Sequence, residues 1–293
     1  MTGQIIDGAE VAAHIRSQIK KIVEELKNDG IHPCLATILV GDDTSSAIYV
    51  NNKQKAAAEV GILTLDHRLP FGSNQNEVLE LVQSLNHDNR VHGILVQLPL
   101  PPQMNESIIT NAISSTKDVD GLTSLNMGML LTGSSFMKPC TPSGIIALLD
   151  YYQMDVAGMD AVIVNRSNLV GKPLAFLLLE KNATVTICHS KTKGINEKLK
   201  AADIIITAVG DREHFCITSD IVKDYAIVID VGIARYNGKL AGDVDFTSVK
   251  EKASWITPVP GGVGPMTVCM LLKNTITSAS IIRDMTRQTR LYH

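Results

Sequence analysis

Tyr49 and Lys53 stand four residues apart in VGDDTSSAIYVNNKQKAAAEVG, the stretch from Val40 to Gly61 that reads as a helix after a short entry loop. Residues so spaced share one helical face. An aromatic ring beside an amine offers a flat surface for a ring-shaped substrate and, where the amine is partly desolvated, a proton acceptor usable near neutral pH. The pair fits equally a half-buried tyrosine beside a solvated lysine, so alone it assigns nothing. Gln97 ends the apolar run of GILVQLPLP, and a glutamine buried there needs partners, which neighbouring backbone could supply. Asp120 lies in KDVDGL, where Asp-Gly suits a turn.

The elements around these residues alternate between strand and helix. Apolar residues at Val11, Ile15, Ile19, Ile22, Val23 and Leu26 give a helical period from Asp7 to Lys27. CLATILVG, from Cys34, reads as a buried strand that feeds the Tyr49/Lys53 helix. Leu63, Leu65 and Leu69 suggest a strand, and Asn74 and Glu77 stand at capping-box spacing before another helix. GILV then makes a strand with Gln97 at its carboxyl end. Thr123 to Lys138 reads as loop, and a helix is expected from Thr141.

The second half repeats the rhythm. AVIVN, a helix after RSNLVGKP, and TVTICHS form a βαβ unit. ADIIITAVG and AIVIDVGI are further buried strands, each expected to lead into a helix. Their closing glycines let a ligand approach the backbone, which makes Gly210, Gly232 and Ile233 candidate cofactor contacts. TPVPGGVGPMT, Thr257 to Thr267, reads as a loop before a long helix to about Arg287.

With 293 residues the chain suits two domains or one large one. Charged residues at 19% and a formal charge of −3 give no general attraction to nucleic acid or an anionic membrane. Cys34, Cys140, Cys188, Cys216 and Cys269 are widely spaced and lack Cys-x-x-Cys, which argues against disulfides or zinc, so they read as small buried residues. No metal-ligand spacing, Walker loop or G-x-S-x-G elbow is present. No apolar run is long enough to span a bilayer and the N-terminus is not laid out as a signal peptide, so a cytoplasmic enzyme is expected.

Six strings, taken together and in order, resemble the bifunctional methylenetetrahydrofolate dehydrogenase/cyclohydrolase family: the Val40–Gly61 stretch, QLPLP, KDVDGL, PCTP, NRSNLVGKP and TPVPGGVGPMT. The resemblance implies two α/β domains, a folate-binding catalytic domain of 1–139 plus 267–293 and a Rossmann-like doubly wound domain of 140–266, with an active-site cleft between them. It makes Lys53 the proton relay, Tyr49 the folate platform, Gln97 the partner of Lys53, and Asp120 the holder of the pterin. Leu98, Pro260, Gly261 and Gly262 would border the substrate. PCTP carries no catalytic role.

Asn165, Arg166 and Ser167 on the first loop and His189 and Ser190 after the second strand would bind cofactor. Asn165 stands where the family has glycine; if the position needs positive φ, asparagine is the least costly replacement. The second strand ends without an acid, so nothing repels a 2′-phosphate that Arg166 and Ser190 could hold. NADP is therefore expected over NAD, with tetrahydrofolate one-carbon derivatives as substrates and a homodimer formed through the second domain's sheet. A dehydrogenase-only relative and a non-catalytic folate- or nucleotide-binding protein are the alternatives.

Overall fold

The computed structural model describes residues 2–291, with their side chains except at 44–45 and 286–291. It divides into two units, His14–Cys140 with Val268–His293, and Met1–Ala13 with Thr141–Thr267. In chain order the elements begin β1 (Gln4–Ile5), α1 (Gly8–Asn28), β2 (Cys34–Val40), α2 (Thr44–Glu59), β3 (Leu63–Leu69), α3 (Gln75–His87), β4 (Gly93–Val96), α4 (Glu106–Asn111) and α5 (Ser124–Leu131). They continue α6 (Cys140–Tyr151), β5 (Asp160–Val164), α7 (Gly171–Glu180), β6 (Thr184–Cys188), α8 (Ile195–Ala201) and β7 (Ile204–Thr207). Last come β8 (Ile227–Asp230), β9 (Ala234–Tyr236), β10 (Lys239–Ala241), α9 (Phe246–Lys250), β11 (Trp255–Ile256) and α10 (Val263–Leu291).

The unit built on 14–140 holds a three-stranded parallel sheet in the order β3-β2-β4. Every residue of β2 is buried, as an unbroken apolar run demands when both faces of a parallel sheet are covered. Gly93 opens β4 because a Cβ there would lie 2.6 Å from Val119 Cγ1. The expected capping box forms at α3, with Asn74 accepting from the Glu77 amide at 3.0 Å and Glu77 accepting from the Asn74 amide at 3.2 Å. Lys117, nearly buried, closes the other end of α3 by donating to the carbonyls of Leu85, Asn86 and Asp88.

The other unit is a six-stranded parallel sheet in the order β1-β11-β8-β7-β5-β6. Its central strands IIIT and IVID are wholly buried. Two expectations are corrected here. Residues 1–13 belong with this sheet rather than with 14–139, because Gln4 and Ile5 pair with Trp255 and Ile256. Not every strand leads into an α-helix: β7 is followed only by a 3-10 turn at Ser219–Ile221, and β8 by the β9–β10 hairpin. That hairpin turns on Asn237 and Gly238, both at positive φ, the dipeptide that favours a two-residue turn.

Two further loops prove partly helical. Residues 124–131 form α5, whose start is capped by Thr123 accepting from the Asn126 amide, despite a glycine at 128. Helix α10 already begins at Val263, inside the expected 257–267 loop.

Candidate functional site

In the 14–140 unit the chain leaves β2 through Gly41, at φ +89°, and Asp43 caps α2 by accepting from the Ser46 amide at 2.7 Å. This places Tyr49 and Lys53 one turn apart on α2. Tyr49 is 46% exposed and Lys53 only 9%. Strand β4 is in register with β2, and Gln97 continues that ladder by donating its amide to the Ile38 carbonyl at 2.9 Å. The Gln97 side chain thereby emerges at the strand's carboxyl end. Lys53 Nζ donates to Gln97 Oε1 at 3.0 Å, and Gln97 Nε2 donates to the Leu98 carbonyl at 2.6 Å. Both ends of the Gln97 amide are thus engaged, whereas the Lys53 amine makes no other hydrogen bond among the described residues.

KDVDGL splits its two carboxylates between two tasks. Asp118, 1% exposed, accepts from the Gly121 amide at 3.0 Å, the Thr123 amide at 2.8 Å and Asn126 Nδ2 at 2.8 Å. It is consumed in holding the turn and the start of α5. Asp120 keeps part of its residue surface accessible, but its carboxyl lies deep, and burial pushes its pKa up. The charge of Asp118 raises it further and that of Lys53 lowers it, so Lys53 and Asp120 are electrostatically coupled. Cys140 donates to the Val119 carbonyl at 3.2 Å and shares a hydrogen bond with Asp120. Burial, then the Asp120 charge, hold the Cys140 thiol well above its usual range, so it serves as a donor and not as a nucleophile. Nothing in the spacing of the cysteines distinguished it.

In the six-stranded unit the candidate residues sit beyond the carboxyl ends of β5, β6, β7 and β8. Val164 pairs with Cys188, so Arg166 and Ser190 both stand two residues past the paired ends of neighbouring strands. Both are exposed and make no hydrogen bond among the described residues. Ser167 and His189 face the other way in role: Ser167 Oγ accepts from the Val170 amide at 3.1 Å, and His189 Nδ1 accepts from the Lys191 amide at 3.2 Å.

Asn165 does not adopt positive φ, which corrects the reason expected for its tolerance. Its side chain is used instead. Oδ1 accepts from the amides of Ser167 at 2.8 Å and Gly171 at 3.0 Å, and Nδ2 donates to the Ala208 carbonyl at 2.7 Å. Asn165 thus stitches its loop to the start of α7 and to the end of β7. Gly171 permits this, since a Cβ there would lie 2.1 Å from the Asn165 carbonyl oxygen.

Gly210 is at φ +70°, and Gly232 packs so tightly that a Cβ would lie 2.3 Å from the Asp243 carboxyl carbon. Gly232 and Ile233 line a cavity of about 170 Å³ with Pro260, Gly261 and Gly262. The structure therefore brings Lys53, Gln97 and Asp120 together in one unit, with Tyr49 and Leu98 adjoining, and Pro260–Gly262 with Gly232 and Ile233 in the other. Asp230 and Asp243, which hold the glycine segments by hydrogen bonds, were not singled out in the sequence. Among the described residues no group of three His, Cys, Asp or Glu side chains is placed to hold a metal ion, and no helix is long and apolar enough to cross a membrane.

Comparison with known proteins also divides the chain in two, though with residues 6–13 and 268–283 on the opposite sides from the structural units. Residues 6–120 match the family model for the catalytic domain of tetrahydrofolate dehydrogenase/cyclohydrolase, and residues 139–283 match that for its NAD(P)-binding domain. The Bifunctional protein FolD of Nitrosopumilus maritimus (strain SCM1) is 57% identical over 281 residues, covering 96% of this chain and 98% of that one. The protein of the same name from Moorella thermoacetica is 51% identical over 280 residues, covering 95% and 99%. The solved structure of the bifunctional FolD methylenetetrahydrofolate dehydrogenase/cyclohydrolase from Campylobacter jejuni superposes with a TM-score of 0.92 at 48% identity, covering 95% of this chain and 99% of that one. The Trypanosoma brucei FolD structure, complexed with NADP cofactor and inhibitor, gives 0.90 at 36% identity, covering 96% and 98%.

Proposed function

The chain belongs to the tetrahydrofolate dehydrogenase/cyclohydrolase family, and we propose that Lys53, Gln97, Asp120 and Tyr49 carry the folate side of its two reactions. Those reactions are oxidation of 5,10-methylenetetrahydrofolate to the methenyl form with NADP, and hydrolysis of that product to 10-formyltetrahydrofolate. The observation that carries the assignment is the buried Lys53 amine held 3.0 Å from Gln97 and coupled to the Asp120 carboxyl.

NADP, when bound, accepts the hydride that leaves the one-carbon bridge. The residues beyond β5 to β8 fit such a group: Gly210 is exposed and leaves backbone bare, Gly232 and Ile233 line the cavity of about 170 Å³, and Arg166 with Ser190 offers a guanidinium and a hydroxyl for a 2′-phosphate. Asn165 and Ser167 shape the loop that presents Arg166, and His189 shapes the turn that presents Ser190.

On the folate side, ionised Asp120 accepts hydrogen bonds from the pterin amino group and ring N–H, which fixes the ring against Tyr49. Oxidation leaves the bridge carbon as a cation shared by two nitrogens, and water attacks it. Lys53 Nζ, anchored by Gln97, takes the proton that this water releases. The hydroxyl so formed gives up its proton and the leaving nitrogen gains one as its bond to the bridge carbon breaks, so the formyl group remains on the other nitrogen.

The test is to supply 5,10-methylenetetrahydrofolate with NADP⁺ or NAD⁺ and follow reduced cofactor, methenyl and 10-formyl products separately. Reduced NADP together with 10-formyl product supports the reading. Methenyl that decays no faster than in buffer would reduce the protein to a dehydrogenase.

The same proposal places the protein in the cytoplasm, apart from nucleic acid and membrane, and pairs it with a second copy through the six-stranded sheet. Its outer strand β6, carrying exposed Ile187, supports that pairing. A monomeric mass by light scattering would remove it.

A further inference from the structure

Two buried carboxylates in the six-stranded unit take no part in the chemistry above. Asp230 closes β8 at 3% exposure, and Asp243, just after the β9–β10 hairpin, is fully buried. A buried carboxylate is costly unless hydrogen bonds replace its water. Here the replacements are almost all main-chain amides. Asp243 Oδ2 accepts from the Thr207 hydroxyl and the Val209 amide, each at 2.7 Å, and Oδ1 accepts from the Gly210 amide at 2.9 Å. Asp230 Oδ1 accepts from the amides of Gly232 at 2.9 Å and Asp243 at 3.0 Å, and Oδ2 from that of Val244 at 2.8 Å.

The contacts are reciprocal. Asp230 holds the segment that carries Asp243, and Asp243 packs on the Gly232 that follows Asp230. Both glycines are required: a Cβ on Gly232 would lie 2.3 Å from the Asp243 carboxyl carbon, and one on Gly242 would lie 2.0 Å from Asp230 Oδ2. Asp-Val-Gly at 230–232 and Gly-Asp-Val at 242–244 thus form a clasp across the carboxyl ends of β7 and β8. Burial, with a smaller contribution from the Asp243 charge, pushes Asp230 up to about 7, a measure of how little water reaches it.

What the clasp immobilises is Gly210 and the Gly232–Ile233 segment. Ligands of doubly wound sheets bind at strand carboxyl ends, where backbone amides must be preset to avoid an ordering cost on binding. We propose that Asp243, held in place by Asp230, is a positioning residue for NADP, fixing the Gly210 and Gly232 peptides in the orientation the dinucleotide meets. This rests on the reading that Gly210, Gly232 and Ile233 border the cofactor.

The experiment compares wild type, Asp243→Asn and Ile233→Arg by calorimetric titration with NADP⁺ and by hydrolysis of preformed methenyltetrahydrofolate. Asparagine keeps the shape of Asp243 but turns an N–H toward one of the donors the carboxylate accepts. Its NADP⁺ Kd rises at least tenfold while the KM for methenyltetrahydrofolate moves less than twofold. Ile233→Arg, half-exposed in wild type and outside the clasp, also weakens NADP⁺. If Ile233→Arg binds NADP⁺ normally, the assignment of the cofactor contacts falls and the proposal with it. If Ile233→Arg is weakened and a folded Asp243→Asn is not, the positioning role alone is overturned. Should Asp243→Asn not fold, Thr207→Val, which withdraws one donor and keeps the carboxylate, carries the same comparison with an expected rise of about threefold; an unchanged Kd there counts against the clasp equally.

Discussion

Lys53 meets its partner Gln97 through two side chains at the end of a three-stranded sheet, whereas Gly210 and Gly232 offer main chain at the end of a six-stranded one. In the first region an amine is buried where chemistry needs a proton acceptor, and its neighbours Gln97 and Asp120 are read directly from residue type. In the second, the carboxylates lie beneath the surface, and what faces outward is Gly210 and Ile233. A reacting centre needs side-chain groups that can gain or lose protons, while a cofactor needs a rigid, close-fitting wall. The two regions differ because those demands differ.

The contrast sharpens most at Lys53. Lys53→Met lowers methenyl hydrolysis about 10²- to 10⁴-fold, the usual worth of a positioned acid or base, and leaves the NADP⁺ Kd within twofold. A calorimetric titration beside a hydrolysis assay checks both halves. An NADP⁺ affinity that fell with hydrolysis would erase the division between the regions.

Asp120→Ala comes next, with folate affinity weakened about ten- to a hundredfold through loss of charged hydrogen bonds. Because burial raises the Asp120 pKa, the carboxylate form is lost on acidification at a higher pH than for an ordinary carboxylate, and folate affinity falls with it. Asp120→Asn flattens that acid limb in a KM–pH profile. Lys53→Met moves it to higher pH, since protonated Lys53 offsets part of the rise that burial causes at Asp120. An acid limb that stays in place in both variants would separate Asp120 from the folate.

On the cofactor side, Arg166→Ala narrows the NADP over NAD preference about tenfold, the value of a charge-assisted hydrogen bond, without changing the folate KM. Ratios of kcat/KM for the two cofactors measure it. A preference that holds steady would move the 2′-phosphate site elsewhere.

The smallest effect concerns the clasp. The unfolded chain loses the Asp230 proton near pH 4, the folded one near 7, so the folded state binds more protons across that window. Asp230 therefore contributes stability that is fully present below about pH 4 and lost as the pH rises through about 7. The thermal-midpoint difference, wild type minus Asp230→Asn, is larger at pH 5 than at pH 8. A difference that stayed constant between pH 5 and pH 8 would mean that Asp230 is ionised throughout that range.

How much of this was legible in the sequence follows the same line. The helix pairing Tyr49 with Lys53, the Asn74 capping box and the buried strands depend on local pattern and residue type, and they stand where the pattern placed them. Asp118 and Asp120 look alike in KDVDGL; only the fold shows one saturated by Gly121, Thr123 and Asn126. Asn165 was read through backbone conformation, yet its side chain makes the difference, because its partners Ala208 and Gly171 come from other elements. Asp243 likewise meets donors 33 to 36 residues away. The Asn237-Gly238 hairpin and the Thr123 cap were local signals, overlooked among competing glycines. Strand β1 is two residues long, too short for any period to declare it.

The division of labour is tested most directly by giving Lys53→Met protein 5,10-methylenetetrahydrofolate and NADP⁺ and recording reduced cofactor and folate products in one time course. The expected result is continued formation of reduced NADP with methenyltetrahydrofolate accumulating and decaying no faster than in buffer. Conversion to 10-formyltetrahydrofolate at the wild-type rate would contradict the assignment of Lys53 and, with it, the claim that hydrolysis is carried by the side-chain cluster at the end of β4.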